Sequence, residues 1–242
     1  PLLVRDKSWN VCDPLHSEMQ LIACMAREND MNDKPQAEDL THDRTRLQAG
    51  VVEQVSPLIR RLISPNPTPF TFTGTCGYIV GKGDVAFIDP GPENDAHVET
   101  ILAAIKGETL THILVTHTHI DHVPATPALV AATGAKIYSF GPHPKPPAGD
   151  HAEEPGDLSF APDVKLNDGD VVPGDGWNVE AVHTPGHISN HLCFAVKEDR
   201  ALLSGDHVMG WSTAVISPPD GNMGDYFASL RKLLPRDETL YI

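Results

Sequence analysis

From Val51 onward, short apolar runs and amphipathic stretches succeed one another, separated by Gly- and Pro-rich punctuation. Strands are expected at 51–56, 59–63, 76–81 and 85–89, the last two joined by a hairpin turn at Gly81-Lys82-Gly83-Asp84. Val98, Ile101, Leu102 and Ile105 fall at i, i+3, i+4 and i+7, one buried face of a helix that Pro92 and Asn94 start. A strand at 112–116, a helix through Ala125 to Ala132 ended by Gly134, and a strand from Lys136 to Phe140 follow. Gly141 to Pro162 is rich in Pro, Gly and acids and reads as a loop near the mouth of a site. Further strands are expected at 164–166, 171–172, 177–182, 191–196 and 201–205, then a helix from Met223 to Leu234 and a strand at 239–242. Two β-rich halves, each carrying helices, describe an α/β domain over residues 49–242.

Residues 1–48 break this rhythm. Glu28 to Asp39 combines low hydrophobicity with high charge, too little apolar surface to offset the entropy of ordering it. This part reads as a flexible leader, with a short helix at Met19 to Ala26. Met31-Asn-Asp-Lys-Pro would be a natural beginning, which makes residues 1–30 a candidate non-native extension.

The chemistry concentrates at strand ends. Directly after the apolar Ile113-Leu114-Val115 comes Thr116-His117-Thr118-His119-Ile120-Asp121-His122, three imidazoles and a carboxylate in six positions. Residues two apart at a strand's end project to the same side, so His117 and His119 can grip one ion. If the chain then turns, Asp121 and His122 face a neighbouring space where a second ion could sit, as two-metal hydrolytic sites require. The strand 177–182 runs into His183-Thr184-Pro185-Gly186-His187, which offers His187 as a third ligand to the first ion. Ala201 to Leu203 runs into Ser204-Gly205-Asp206-His207, where a carboxylate at the tip could bridge two cations. Val85 to Ile88 ends in Asp89-Pro90-Gly91.

In order and spacing, His117-x-His119-x-Asp121-His122, Thr-Pro-Gly-His187, Ser-Gly-Asp206 and Ile-Asp89-Pro-Gly resemble the motif series of the metallo-β-lactamase fold superfamily. Pro67 to Thr75 and Ser204 to Trp211 are most similar to the branch of β-lactamase-like protein 2 and its bacterial relatives. The resemblance implies a four-layer αβ/βα sandwich and a zinc-dependent hydrolase with two ions. In it His117, His119 and His187 hold the first ion, Asp121 and His122 the second, Asp206 bridges both, and Asp121 also orients the attacking hydroxide. Asp89 is then an acid behind the ligands that fixes the tautomer of one imidazole. His183, His191, His207 and Trp211 are candidates for the substrate pocket, whereas His112 reads as a packed core histidine. The superfamily supplies one more His to the second ion from a Pro-Gly-His segment after a late strand, and this chain reaches Leu240-Tyr241-Ile242 in what reads as that strand. The resemblance therefore implies a domain truncated at its C-terminus and a weakened second site. Gly74-Thr75-Cys76-Gly77-Tyr78 departs from the branch's Gly-Thr-Asn-Thr-Tyr, so contacts from that loop do not transfer.

The fold leaves the substrate open. An ester-like or thioester bond of a small molecule is favoured. The alternatives are a metal-dependent endoribonuclease and a mononuclear iron oxidoreductase of the persulfide-dioxygenase kind. A net charge of −15 over 242 residues opposes RNA, whose phosphates recruit Lys and Arg. No apolar run approaches the roughly 18 residues of a membrane span, and the N-terminus shows no secretion signal. The four cysteines form no C-x-x-C pair, Cys193 reads as a core residue, and a cytoplasmic location is expected.

Overall fold

The computed structural model describes residues 47–145 and 155–242. The expected leader and its short helix lie, up to residue 46, outside the described residues. The chain builds β1 (Val52–Gln54), β2 (Ile59–Ile63), β3 (Cys76–Lys82), β4 (Asp84–Ile88), α1 (Asp95–Ala104), β5 (Thr109–Leu114), α2 (Thr126–Thr133) and β6 (Lys136–Ser139). There follow β7 (Val164–Lys165), β8 (Val171–Gly174), β9 (Trp177–His183), β10 (Leu192–Val196), β11 (Ala201–Leu203), α3 (Met223–Leu233) and β12 (Leu240–Tyr241).

Seven strands form one sheet in sequence order, β1 to β7, and five form the other in the order β12-β11-β10-β9-β8. In the first sheet β1 to β4 are antiparallel, and pairing turns parallel from β4 onward. Parallel neighbours need a crossover, which α1 supplies between β4 and β5 and α2 between β5 and β6. Asn94 starts α1 by accepting the His97 amide at 3.0 Å, and Gly134, in the left-handed region, ends α2.

Strand alternation assigns the layers. Val80, Ala86, Ile88 and Leu114 turn inward to meet Trp177, Val179, Phe194 and Leu203 of the second sheet. Their neighbours Ile79, Val85, Phe87 and Ile113 turn outward and are covered by Val98 and Ile101 of α1 and Leu129 of α2. β10 is buried throughout, with Leu192, Phe194 and Val196 on the inner face and Cys193 and Ala195 on the outer, the latter against Leu233 of α3. The result is helix, sheet, sheet, helix, the expected αβ/βα sandwich. No helix among the described residues is long and apolar enough to cross a membrane.

Several strands are shorter than expected, β1 (Val52–Gln54) and β11 (Ala201–Leu203) among them, and two others extend beyond expectation for a reason that lies in the sheets. β8 continues through Pro173 to Gly174 because it is an edge strand: proline costs no ladder bond there, and Pro173 pairs with Asn178. β5 begins at Thr109, since a register shift between Val85 and Ala86 lets Thr109 and Leu110 pair with the start of β4.

Candidate metal centre

The polar residues named from the sequence collect at one end of the two sheets, where β4, β5, β9 and β11 finish. Asp89, directly after β4, is 3% exposed and adopts φ 52, an uncommon conformation for an aspartate that turns its carboxylate toward the loop after β5. Its Oδ1 accepts the Thr116 amide at 2.8 Å, and its Oδ2 accepts the Thr116 hydroxyl at 2.7 Å and lies 3.0 Å from His122 Nδ1.

These bonds orient the rings. A carboxylate only accepts, so His122 carries a proton on Nδ1 and turns Nε2 toward Asp121 and Asp206. The Thr116 proton is committed to Asp89, so its oxygen, 2.9 Å from His117 Nδ1, accepts from that nitrogen, and His117 Nε2 is bare. His187 Nδ1 faces the Val215 carbonyl at 2.5 Å and must donate to it, which aims its Nε2 inward. That atom lies 3.0 Å from His119 Nδ1.

The inward-facing nitrogens converge. Ligand atoms of His117, His119 and His187 lie within 4.8 Å of one another, and so do those of His117, His122 and Asp206. Asp206 stands between the groups: Oδ1 is 3.5 Å from His122 Nε2, while Oδ2 is 3.6 Å from His187 Nε2 and 3.8 Å from His117 Nε2. Asp121 Oδ2 lies 3.4 Å from His122 Nε2 and accepts the Thr75 hydroxyl at 3.2 Å. His117 Nε2 is buried without a hydrogen-bond partner, a costly state for a lone pair unless a cation takes it. These donors, imidazole and carboxylate, fit a divalent metal such as zinc.

Burial and then the neighbouring imidazoles push His117 well below its ordinary pKa, and burial with His187 pushes His119 down to about 3. His122 behaves oppositely: burial opposes its charge, yet Asp121, Asp206 and Asp89 together raise it well above the ordinary value. Burial would raise the carboxyls of Asp121 and Asp206, but His122 beside them holds both below the usual carboxylate range. Several carboxylates around mostly neutral imidazoles make a site that is completed by positive charge.

The remaining candidates are placed as follows. His191 Nε2 accepts the Asp206 amide at 3.2 Å and its Nδ1 lies 2.9 Å from Thr184 Oγ1, so the ring holds the backbone of Asp206. His183 Nε2 bonds the Ser189 carbonyl at 2.9 Å, and its ring stacks on Phe140 at 4.1 Å. Neither joins the two ligand groups. His207 is fully buried beside Tyr226, with both ring nitrogens lacking a hydrogen-bond partner. Trp211 stacks on Phe72 at 5.1 Å, linking the segment after β11 to the loop between β2 and β3. His112 is packed between Tyr138 and Trp177. The loop after β6 does return to the metal loop, where the Ile120 amide donates to the Pro155 carbonyl and the Asp157 amide to the Thr118 carbonyl.

Sequence reasoning missed Thr116, the Val215 carbonyl, and a cluster of Asn190 and His143 around Thr118. Asn190 Nδ2 donates to Thr118 Oγ1 at 2.8 Å, and His143 Nδ1 lies 2.9 Å from the same oxygen. Nothing in the local sequence marks these partners, which lie 72 and 25 residues from Thr118 along the chain. Behind the site, α3 packs directly on the turn that carries His187. Asn222, the α3 N-cap, donates its amide to the Gly186 carbonyl at 2.8 Å, and Ser229 donates to the Pro185 carbonyl at 2.7 Å. Gly186 has φ 145, and a Cβ on it would collide with the backbone of Tyr226.

An αβ/βα sandwich has strand ends that gather four imidazoles and the Asp206 carboxylate into two adjacent groups that could hold a metal, with Asp121 beside His122 but in neither group. Residues 70–242 match the family described as the Metallo-beta-lactamase superfamily, and the chain belongs to that superfamily. Among similar proteins are atrochrysone carboxyl ACP thioesterases of Pseudocercospora fijiensis, 32% identical over 191 residues, and of Aspergillus terreus, 33% identical over 196. These alignments cover 77% and 80% of this chain but 51% and 55% of the relatives, so the chain spans about half their length. Among solved structures, the fold is similar to a metallo-beta-lactamase family protein from Thermus thermophilus, with a TM-score of 0.63 and 19% identity over 78% of this chain and 73% of that one. ETHE1 from Myxococcus xanthus gives a TM-score of 0.58 and 24% identity over 76% and 73%. At these identities the structural likeness speaks for the fold alone.

Proposed function

We propose that this chain is a zinc-dependent hydrolase that holds two ions and cleaves a thioester or similar acyl bond of a small or carrier-bound molecule in the cytoplasm. One observation carries the metal reading: His117 Nε2, left bare by the Asp89–Thr116 chain of hydrogen bonds, is buried with no hydrogen-bond partner and is shared by both ligand groups. The thioester is supported by the relatives named as carboxyl ACP thioesterases.

The residues divide the work. His117, His119 and His187 would hold one ion, Asp121 and His122 the other, with Asp206 facing both. Bound divalent zinc lowers the pKa of water toward neutrality and so supplies a hydroxide nucleophile. Asp121, 30% exposed at its side chain and kept ionised beside His122, would accept a hydrogen bond from the attacking water and orient it. The Asp89–Thr116 pair draws the Nδ1 protons of His117 and His122 and so turns the Nε2 atoms of both rings toward the site.

The test is elemental analysis combined with a substrate panel of S-acyl-N-acetylcysteamine thioesters, lactones, nitrocefin and single-stranded RNA. Bound zinc and turnover of thioesters are expected, and both His119→Ala and Asp121→Ala are expected to abolish turnover while the far-ultraviolet circular dichroism stays unchanged. Retained turnover in either variant would sink the mechanism. Iron with persulfide oxidation, or RNA cleavage, would replace the reading with one of the alternatives.

A further inference from the structure

We infer that Asn190 is a positioning residue for the metal centre, acting through Thr118 to fix the directions of His117 and His119. This rests on reading the cluster as a metal site. Thr118 sits between the two candidate ligands and is fully buried. Its hydroxyl is gripped from two distant parts of the fold: Asn190, in the loop between β9 and β10, donates to it at 2.8 Å, and His143, in the loop after β6, lies 2.9 Å away.

The orientation of the Asn190 amide is fixed independently. Its Nδ2 also lies 3.2 Å from the Pro142 carbonyl, which can only accept, so the atom there is the nitrogen. Both amide protons are thereby spent, one on Thr118 and one on the residue preceding His143. The opposite end shows the commitment: Asn190 Oδ1 is buried without a hydrogen-bond partner. Turning the amide over would set two carbonyl oxygens against each other at Pro142 and leave Thr118 without its donor. The fold accepts an unsatisfied acceptor to keep this donor aimed at Thr118.

The other side of the clamp is equally built. The ring of His143 lies on the backbone of Gly156, in the space that a Cβ there would need. Gly156 pairs in turn with His119 through a β-bridge, and the flanking Pro155 and Asp157 bond Ile120 and Thr118. Three loops thus close on the residue between His117 and His119, and Asn190 is the only one of these side chains that donates to both Thr118 and the His143 segment. Releasing Thr118 would let the two imidazoles swing apart. Loss of partners that orient metal ligands typically costs about 10- to 100-fold in metal affinity.

The experiment uses the full 242-residue chain. Zinc affinity and the visible absorption of the cobalt(II)-substituted protein would be measured for wild type, Asn190→Ala, Thr118→Val and the double variant. The expected result is a loss of about tenfold or more in zinc affinity in each single variant, with a shifted cobalt band reporting altered ligand geometry. Because both variants break the same bond, the double variant should bind zinc little worse than either single one. If Asn190→Ala does not fold, Thr118→Val, which keeps the shape and removes the hydroxyl shared by Asn190 and His143, decides alone. Wild-type affinity and an unshifted cobalt band in Thr118→Val would overturn the inference and leave Asn190 a structural residue. Failure of the wild type itself to bind zinc or cobalt would overturn the metal reading together with it.

Discussion

A single carboxylate, Asp89, sets the protonation pattern of the centre through bonds to the Thr116 amide, the Thr116 hydroxyl and His122. An amide in its place could accept only at its oxygen and would offer protons where His122 and Thr116 need acceptors. Asp89→Asn should therefore lower zinc affinity and kcat/KM by about 10- to 100-fold with little change in secondary structure, checked by zinc titration and steady-state kinetics. A second residue reports on the other side of the sandwich. Burial, against a weaker opposing effect of Thr184, pushes the Cys193 thiol from 9.0 up to about 12. The unfolded chain loses this proton near pH 9 and the folded one only near 12, so the folded state binds more protons in between. Stability is full below about pH 9 and falls as pH rises, by up to about 1.4 kcal/mol per unit from this group. Urea unfolding between about pH 8 and 11 should show a shallower decline in Cys193→Ala than in wild type. At this scale the candidate ligands were legible because His-x-His-x-Asp-His is local, and because Thr-Pro-Gly-His187 and Ser-Gly-Asp206 each follow a strand end. Thr116, Asn190 and the Val215 carbonyl were not, since what makes them matter is a partner supplied by another part of the fold.

Elements position these residues through their ends rather than their lengths. Most of the strands were legible from alternation, and two that extend beyond expectation have a sheet-level cause: Pro173 belongs to a strand because β8 is an edge, and Thr109 because β4 offers it a register. Neither fact is visible in a run of residues before the sheet order is known. The junction of α3 with the turn at Gly186 is of the same kind. The α3 N-cap and Ser229 bond the carbonyls of Gly186 and Pro185, and the helix backbone lies where a side chain on Gly186 would go. Gly186→Ala must both adopt a conformation that suits glycine and push α3 away. A loss of roughly 1–3 kcal/mol in urea unfolding is expected, with weaker zinc binding because His187 follows directly. Wild-type zinc affinity in a destabilised variant would show that the turn holds His187 without help from α3.

For the whole molecule, the centre depends on two sheets that are joined at a distance from it. Trp177 opens β9, fully buried between the sheets, and its Nε1 donates to the Asp84 carbonyl at the start of β4 at 3.0 Å. Both strands run from that contact to the site, β4 to Asp89 and β9 to the turn carrying His187. Removing the indole should cost about 3–5 kcal/mol through lost packing and the cavity left behind. The candidate ligands sit on loops at the opposite strand ends and are held by their own hydrogen bonds, so the site should survive wherever the fold does. Metal that binds only the folded state adds RT ln(1 + [L]/Kd), about 2.7 kcal/mol at a free concentration 100 times Kd. The expected outcome is that saturating zinc stabilises Trp177→Ala by the same increment as wild type, from a lower baseline, whereas Asp89→Asn starts near the wild-type baseline and gains less. Denaturant unfolding of the three proteins with and without zinc makes the comparison. A reduced increment in Trp177→Ala would mean that packing between the sheets and ligand geometry form one cooperative unit, and the division of the molecule into a scaffold and a separately braced metal loop would have to be given up.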